Sequence, residues 1–172
     1  MITDTMSKTM VEPASKFDRI VAGITAVIMN QAGEVLFVRQ KRGPYRGQWI
    51  LPGGSIEYLE KMNDAVKREV LEESGIQVDL LGCFSAYEII GNRDIGDYHF
   101  IMHCYDGRAR DKVSRGFQTD EVDSAVFFAP AKFPMHPTDL MIVNDSIMCP
   151  FQYPEAEIRA GLQDAGIWMR RL

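Results

Sequence analysis

Apolar residues crowd positions 20–29, and the run predicts a strand. The turn Asn30-Gln31-Ala32-Gly33 separates it from a second run at 34–40, so the two should form a hairpin. Residues 42–47 then bring turn formers and positive charge together in a loop. Trp49-Ile50-Leu51 predicts a short strand, stopped by Pro52-Gly53-Gly54. From about 60 to 74 the period changes to that of a helix, with Gly75 as its C-terminal cap. Two further strands are expected at 78–90 and 98–105, joined by a turn-rich stretch at 91–97. A polar segment at 106–120 leads to another strand at 124–128. The remainder reads as helical, over 138–147 and 154–164, with Pro154 at a first helical position. Residues 1–16 read as a loose polar tail, and 17–172 as one domain without repeat or linker.

The predicted helix carries the most informative feature. At ~100° per residue, Glu69, Glu72 and Glu73 share one face, on the side of Met62, Ala65 and Val66, with Val70 at its margin. Carboxylates crowded beside a core-facing stripe repel one another and lose solvation. A divalent cation relieves both costs, and hard oxygen ligands suit Mg²⁺ or Mn²⁺. An acidic solvated helix face is the ordinary meaning of such a run. The apolar neighbours of these glutamates argue against it.

Composition changes the picture little. With 172 residues, 46% hydrophobic and 25% charged, the chain matches one soluble domain with a substantial core. A net charge of -5 offers nothing to a nucleic-acid duplex. No apolar run is long enough to span a bilayer, and the first ten residues lack a signal-peptide apolar region. A cytoplasmic protein is expected. Cys83, Cys104 and Cys149 have no metal-ligand spacing and read as buried, reduced thiols.

Residues 54–76 then fill every specified position of the pattern G-x5-E-x7-R-E-U-x-E-E-x-G-U, where U is a bulky aliphatic. Gly54, Glu60, Arg68-Glu69-Val70, Glu72-Glu73 and Gly75-Ile76 supply it. Seven positions demand a single residue type, so a chance match at one start point is on the order of one in 10⁸. The segment resembles the Nudix signature. From about residue 22 to 128 the order of elements is also similar to a Nudix domain. The resemblance implies an α/β/α sandwich with a mixed central sheet. It also implies hydrolysis of a nucleoside diphosphate linked to another group, with Mg²⁺ or Mn²⁺. On this reading Glu69, Glu72 and Glu73 are metal ligands, with the Gly53 carbonyl a further candidate, and Glu69 or Glu72 can also serve as base. Arg68 orients the glutamates, and Glu60 ties the loop to the helix.

Outside the motif, the resemblance also implies an acid in a loop before a late strand, as metal ligand or base; Glu121 is the candidate here, with Asp120 second. Arg39, Arg42 and Arg46, with Lys41, are candidates to meet substrate phosphates. Trp49, Tyr45, Phe84 and Tyr87 are weighed as base-stacking residues, with a core role favoured for Trp49. His99 and His103 read as hydrogen-bonded strand histidines in preference to a zinc pair. The first-ranked substrate is a nucleoside triphosphate, with ADP-ribose or a nucleotide sugar as the alternative. Asn92 stands where some ADP-ribose hydrolysing members carry a proline, which counts against that subgroup. A non-catalytic nucleotide-binding module is the second class, and the intact glutamates argue against it. The partner is thus a small nucleotide, not a nucleic acid or membrane, and association into a homodimer is left open.

Overall fold

Every position of β1 (Ile20–Met29) from Gly23 onward is buried, as a strand covered on both faces must be. The computed structural model describes residues 19–43, 45–93 and 96–172. After β1 come β2 (Val35–Gln40), β3 (Trp49–Ile50), β4 (Gly53–Ser55), α1 (Met62–Ser74), β5 (Val78–Arg93) and β6 (Gly96–Ala109). β7 (Val122–Phe128), a 3₁₀ turn, α2 (Pro137–Asp145), α3 (Glu155–Asp164) and β8 (Ile167–Arg171) complete the order. The sheet runs β3-β2-β1-β6-β5-β8, with β4 on β1 and β7 on β2. β1 and β6 pair in parallel and the other described pairs are antiparallel, so the sheet is mixed.

Alternation along β1 assigns the layers. Ile24, Ala26 and Ile28 pack with Ala65, Val66 and Val70 of α1. Val27 and Met29 face the other way, into a cluster with Met141 and Ile142 of α2 and Ile158 and Leu162 of α3. The result is the α/β/α sandwich expected from the sequence. No helix among the described residues is long and apolar enough to cross a membrane.

Two regions differ from expectation. The C-terminal part is not wholly helical, because β8 adds a strand to β5 with Met169 opposite Ile89. Only Ile167 and Met169 turn inward in this five-residue strand, too short a period to read beside two helices. Arg171 anchors its end through Nη2 to Asp145 Oδ1 at 2.7 Å. The stretch 91–97, read as a turn, lies mostly in the β5–β6 ladder. A Cβ at residue 91 would stand 2.3 Å from the Tyr98 hydroxyl, so Gly91 admits the aromatic ring across the strand pair. Smaller shifts place Glu60 before the helix and Pro154 at the N-cap of α3. Cys104 and Cys149 are buried, whereas Cys83 is exposed. The tail read at 1–16 lies outside the described residues.

Gly75 caps α1 in the left-handed region, φ 73°, and its N–H donates to the Leu71 carbonyl at 2.8 Å. Leu59 also has a positive φ, 66°, although it carries a side chain and is 86% exposed. A non-glycine residue there costs about 1–2 kcal/mol, and little burial offsets it. Leu59→Gly should therefore stabilise the protein by roughly 0.5–1 kcal/mol after the greater chain entropy of glycine is counted. The expected rise in thermal midpoint is about 1–4 °C. A fall in midpoint would mean that the Leu59 side chain makes a stabilising contact.

Candidate active site

β1 and β2 pair at Met29 and Val35 and then part, and β4 lies against β1 at Gly23–Thr25. Pro52 is fixed there by two donors, the Ala26 N–H and the Thr25 hydroxyl, both at 3.0 Å from its carbonyl. The next two residues must be small. A Cβ on Gly53 would lie 2.3 Å from the Ile24 carbonyl oxygen, and one on Gly54 2.3 Å from Glu69 Oε1. The loop thus brings bare backbone against the acidic helix.

Arg68 organises the junction. Its Nε and Nη2 donate to the two oxygens of Glu60 at 2.8 and 2.9 Å. Nη1 donates to Glu69 at 2.8 Å and to Glu72 at 3.2 Å, and Nη2 also reaches the Ser55 carbonyl at 3.1 Å. The Arg68 bonds, with the Glu57 N–H, hold the Glu60 carboxyl down to about 2. Glu60 is therefore a structural anion that joins loop to helix.

The three signature glutamates differ in environment. Glu73 is 5% exposed, the Glu69 side chain 13% and the Glu72 side chain 57%. The helix wheel groups them on one face, but only Glu73 joins the buried side, together with Val70, which is fully buried and not marginal. Burial pushes the Glu73 carboxyl up to about 8, against the opposing Gly53 N–H and Gln40 amide bonds. Glu69 is also raised, first by burial, while Arg68 pulls it down.

These carboxylates line a cleft of about 710 Å³. Glu121 lines it too, and its negative charge adds to the upward shifts of Glu69 and Glu73. Gly53 and Arg42 also face the cleft. Arg39 and Arg46 do not line it. Arg39 is held by Asp123 at 2.6 Å and covers the Trp49 ring at 5.3 Å, while Arg46 is exposed on the loop. Asp120 is almost fully exposed, 3.9 Å from Arg42. Trp49 packs edge-on to Phe133, Tyr87 is buried in the core, and Tyr45 alone of the weighed aromatics lines the cleft. His99 meets Glu88 at 3.0 Å.

Hard oxygen donors poor in solvent are the right chemistry for Mg²⁺ or Mn²⁺. As the side chains stand, among the described residues no three acids or histidines close on one point. Arg68 holds Glu69 and Glu72, while Gln40 and Gly53 hold Glu73. The donor set fits such a cation.

Two residues of the cleft escaped sequence reading. Asp139 is buried, accepts the Leu51 N–H at 3.0 Å and is pushed up to about 7 by burial. It lines the cleft, as do the apolar Ile89, Phe100, Met102 and Ile142. Its only sequence signal was an acid in the first turn of a helix, which normally answers the helix dipole. Gln40 ends β2 and donates to Glu73 Oε1 at 2.5 Å. Nothing in the sequence marks it.

Residues 19–148 match the family model described as the NUDIX domain. A relative from Danio rerio named oxidized purine nucleoside triphosphate hydrolase is 34% identical over 107 residues, covering 60% of this chain and 69% of that protein. An ADP-ribose pyrophosphatase from Methanocaldococcus jannaschii is 36% identical over 62 residues, 34% of this chain and 37% of the other. Among solved structures, the MutT NUDIX hydrolase from Burkholderia pseudomallei is similar with a TM-score of 0.52 at 25% identity. That likeness covers 85% of this chain and 98% of the other.

Proposed function

The chain belongs to the Nudix family of hydrolases acting on phosphoric anhydride bonds, and we propose that it cleaves the diphosphate linkage of a nucleoside triphosphate with Mg²⁺ or Mn²⁺. One observation carries this reading. Glu69, Glu72, Glu73 and Glu121 line one cleft together with apolar residues and the buried Asp139. A volume of about 710 Å³ suits a nucleotide. The acids take the phosphates through cations, and the apolar lining takes the base. A carboxyl titrating near 7 can accept from, or donate to, the edge of that base.

Glu69, Glu72, Glu73 and the Gly53 carbonyl are the residues that would hold the metal. When bound, a divalent cation neutralises the diphosphate and makes a water acidic enough to attack. Arg68 keeps Glu69 and Glu72 aligned, and Arg42 meets phosphate at the rim. Glu121, at the turn before β7, positions the water and takes its proton as the new P–O bond forms and the old one breaks.

A panel of nucleoside triphosphates, ADP-ribose and nucleotide sugars tests the proposal, read as phosphate or pyrophosphate release in Mg²⁺. The triphosphates should be turned over with at least ~10-fold higher kcat/KM, the scale of ~1.4 kcal/mol in transition-state binding. Preference for ADP-ribose would favour the reading that the shorter archaeal match supports. Binding of a nucleotide with no turnover across the panel would favour a non-catalytic module.

A further inference from the structure

The β2–β7 ladder is irregular beside the cleft. Arg39 pairs with Ser124, but Gln40 pairs with Val122, so Asp123 is an extra residue on β7. Such a bulge kinks a strand pair and re-aims its side chains. Beside it, three consecutive residues take different partners. Arg39 turns to the bulged Asp123, Nε to Oδ1 at 2.6 Å. Lys41 donates through Nζ to the Thr119 carbonyl at 2.5 Å, and its N–H donates to the Glu121 carbonyl at 2.7 Å. Between these two occupied cations, Gln40 enters the cleft and donates to Glu73. Its backbone is held by the 47–48 segment, donating to the Gln48 carbonyl at 3.2 Å and accepting the Gly47 N–H at 2.7 Å.

From this geometry we propose that Gln40 is a positioning residue for the cation site, holding the Glu73 carboxylate ready to bind metal without neutralising it. The inference rests on Glu73 being a metal ligand. Gln40 grips Oε1 and the Gly53 N–H grips Oε2 at 2.9 Å, so the plane of the carboxylate is set by two donors. A carboxylate has about four lone-pair sites, which leaves acceptor capacity for a cation. An amide does this where a Lys or Arg would not, because a full charge at 2.5 Å would compete with the metal. Alternation along β2 supplies that selectivity: Gln40 follows Leu36 and Val38 on the α1 side, Arg39 follows Val35 and Phe37 on the other, and the Thr119 carbonyl holds Lys41.

Partners that orient a ligating carboxylate typically change metal affinity by 10–100-fold when removed. Mn²⁺ titration of the metal-free protein, followed by electron paramagnetic resonance without substrate, reads this directly. Gln40→Met should weaken Mn²⁺ binding about 10-fold or more. Gln40→Asn keeps the amide but is one methylene short of Glu73, and it should show the same loss. Thermal midpoints measured alongside confirm that each variant is folded, and if Gln40→Met does not fold, Gln40→Asn decides. Wild-type affinity in folded Gln40→Met or Gln40→Asn would overturn the role of Gln40. Absence of Mn²⁺ binding to the wild-type protein would instead overturn the reading of the cation site.

Discussion

Chelation with EDTA should cut hydrolysis by at least about 10³-fold, and Mg²⁺ or Mn²⁺ should restore it. The size follows from the charge balance. Glu69 and Glu73 are both raised, first by burial and also by the charge of Glu121, before any substrate arrives. A polyphosphate brought to the cleft adds further negative charge. Arg68 is spent on Glu60, Glu69 and Glu72. Among the described cations lining the cleft, Arg42 is then left to oppose it, and it is largely exposed and 3.9 Å from Asp120. Several kcal/mol of transition-state charge stabilisation must therefore come from bound metal, and 4 kcal/mol corresponds to about 10³ in rate. Ca²⁺, larger and looser in coordination, should bind with little turnover. Cation binding should also raise the thermal midpoint, since only the folded chain assembles the site. Unchanged rates in EDTA would show that the carboxylates serve another purpose.

Glu73→Gln should lower kcat by at least ~10²-fold while leaving the fold intact. The Gly53 N–H can still donate to the new amide oxygen, and the Gln40 amide can turn to offer its oxygen to the new NH₂ group. What disappears is a negative ligand. The same substitution has a predictable effect on stability. The Glu73 carboxyl titrates at about 8 when folded, against 4.5 for the ordinary group. The folded chain thus binds this proton more tightly than the unfolded chain. Its contribution is fully present below about pH 4.5 and is lost as pH rises through about 8. Metal-free wild-type protein should therefore lose stability from pH 5 to 8. Glu73→Gln should melt higher than wild type at pH 8 in EDTA, with the difference shrinking towards pH 5. Asp139, raised to about 7, gives the same sign and remains in the variant, so part of the slope persists. Saturating Mg²⁺ should reverse the order at pH 8, because wild type gains the cation. A variant with near-normal kcat in Mg²⁺, or no pH-dependent gain in EDTA, would refute the assignment.

Much of the site was legible in the sequence because its information is local. The spacing of Glu69, Glu72 and Glu73 is a property of one helix, and Gly75 ends that helix by its own backbone conformation. Gly53 and Gly54 are required by close approach to β1 and Glu69, and a Pro-Gly-Gly stop before an acidic helix marks the place. Glu121 was singled out by the family resemblance together with its place before a late strand, and it does line the cleft. The buried run of β1 likewise announced itself.

Helical periodicity assigned three glutamates to one side, but only packing against β4 and β2 separated the buried Glu73 from the exposed Glu72. Composition grouped Arg39, Arg42 and Arg46, while the pairing of β2 with β7 gave Arg39 to Asp123 and strand alternation left Gln40 on the α1 side. Asp139 is separated from Leu51 by 88 positions in the chain, yet meets its N–H at the cleft. β8 found its place only because β5 offered a ladder for it. The sequence by itself determined the acidic helix, its backbone loop and the chemistry they imply, since each depends on residues within a few turns of one another. Which side chains lost their water, and which cations were drawn away from the cleft, was decided by contacts between distant segments, because burial and pairing exist only after the sheet has assembled.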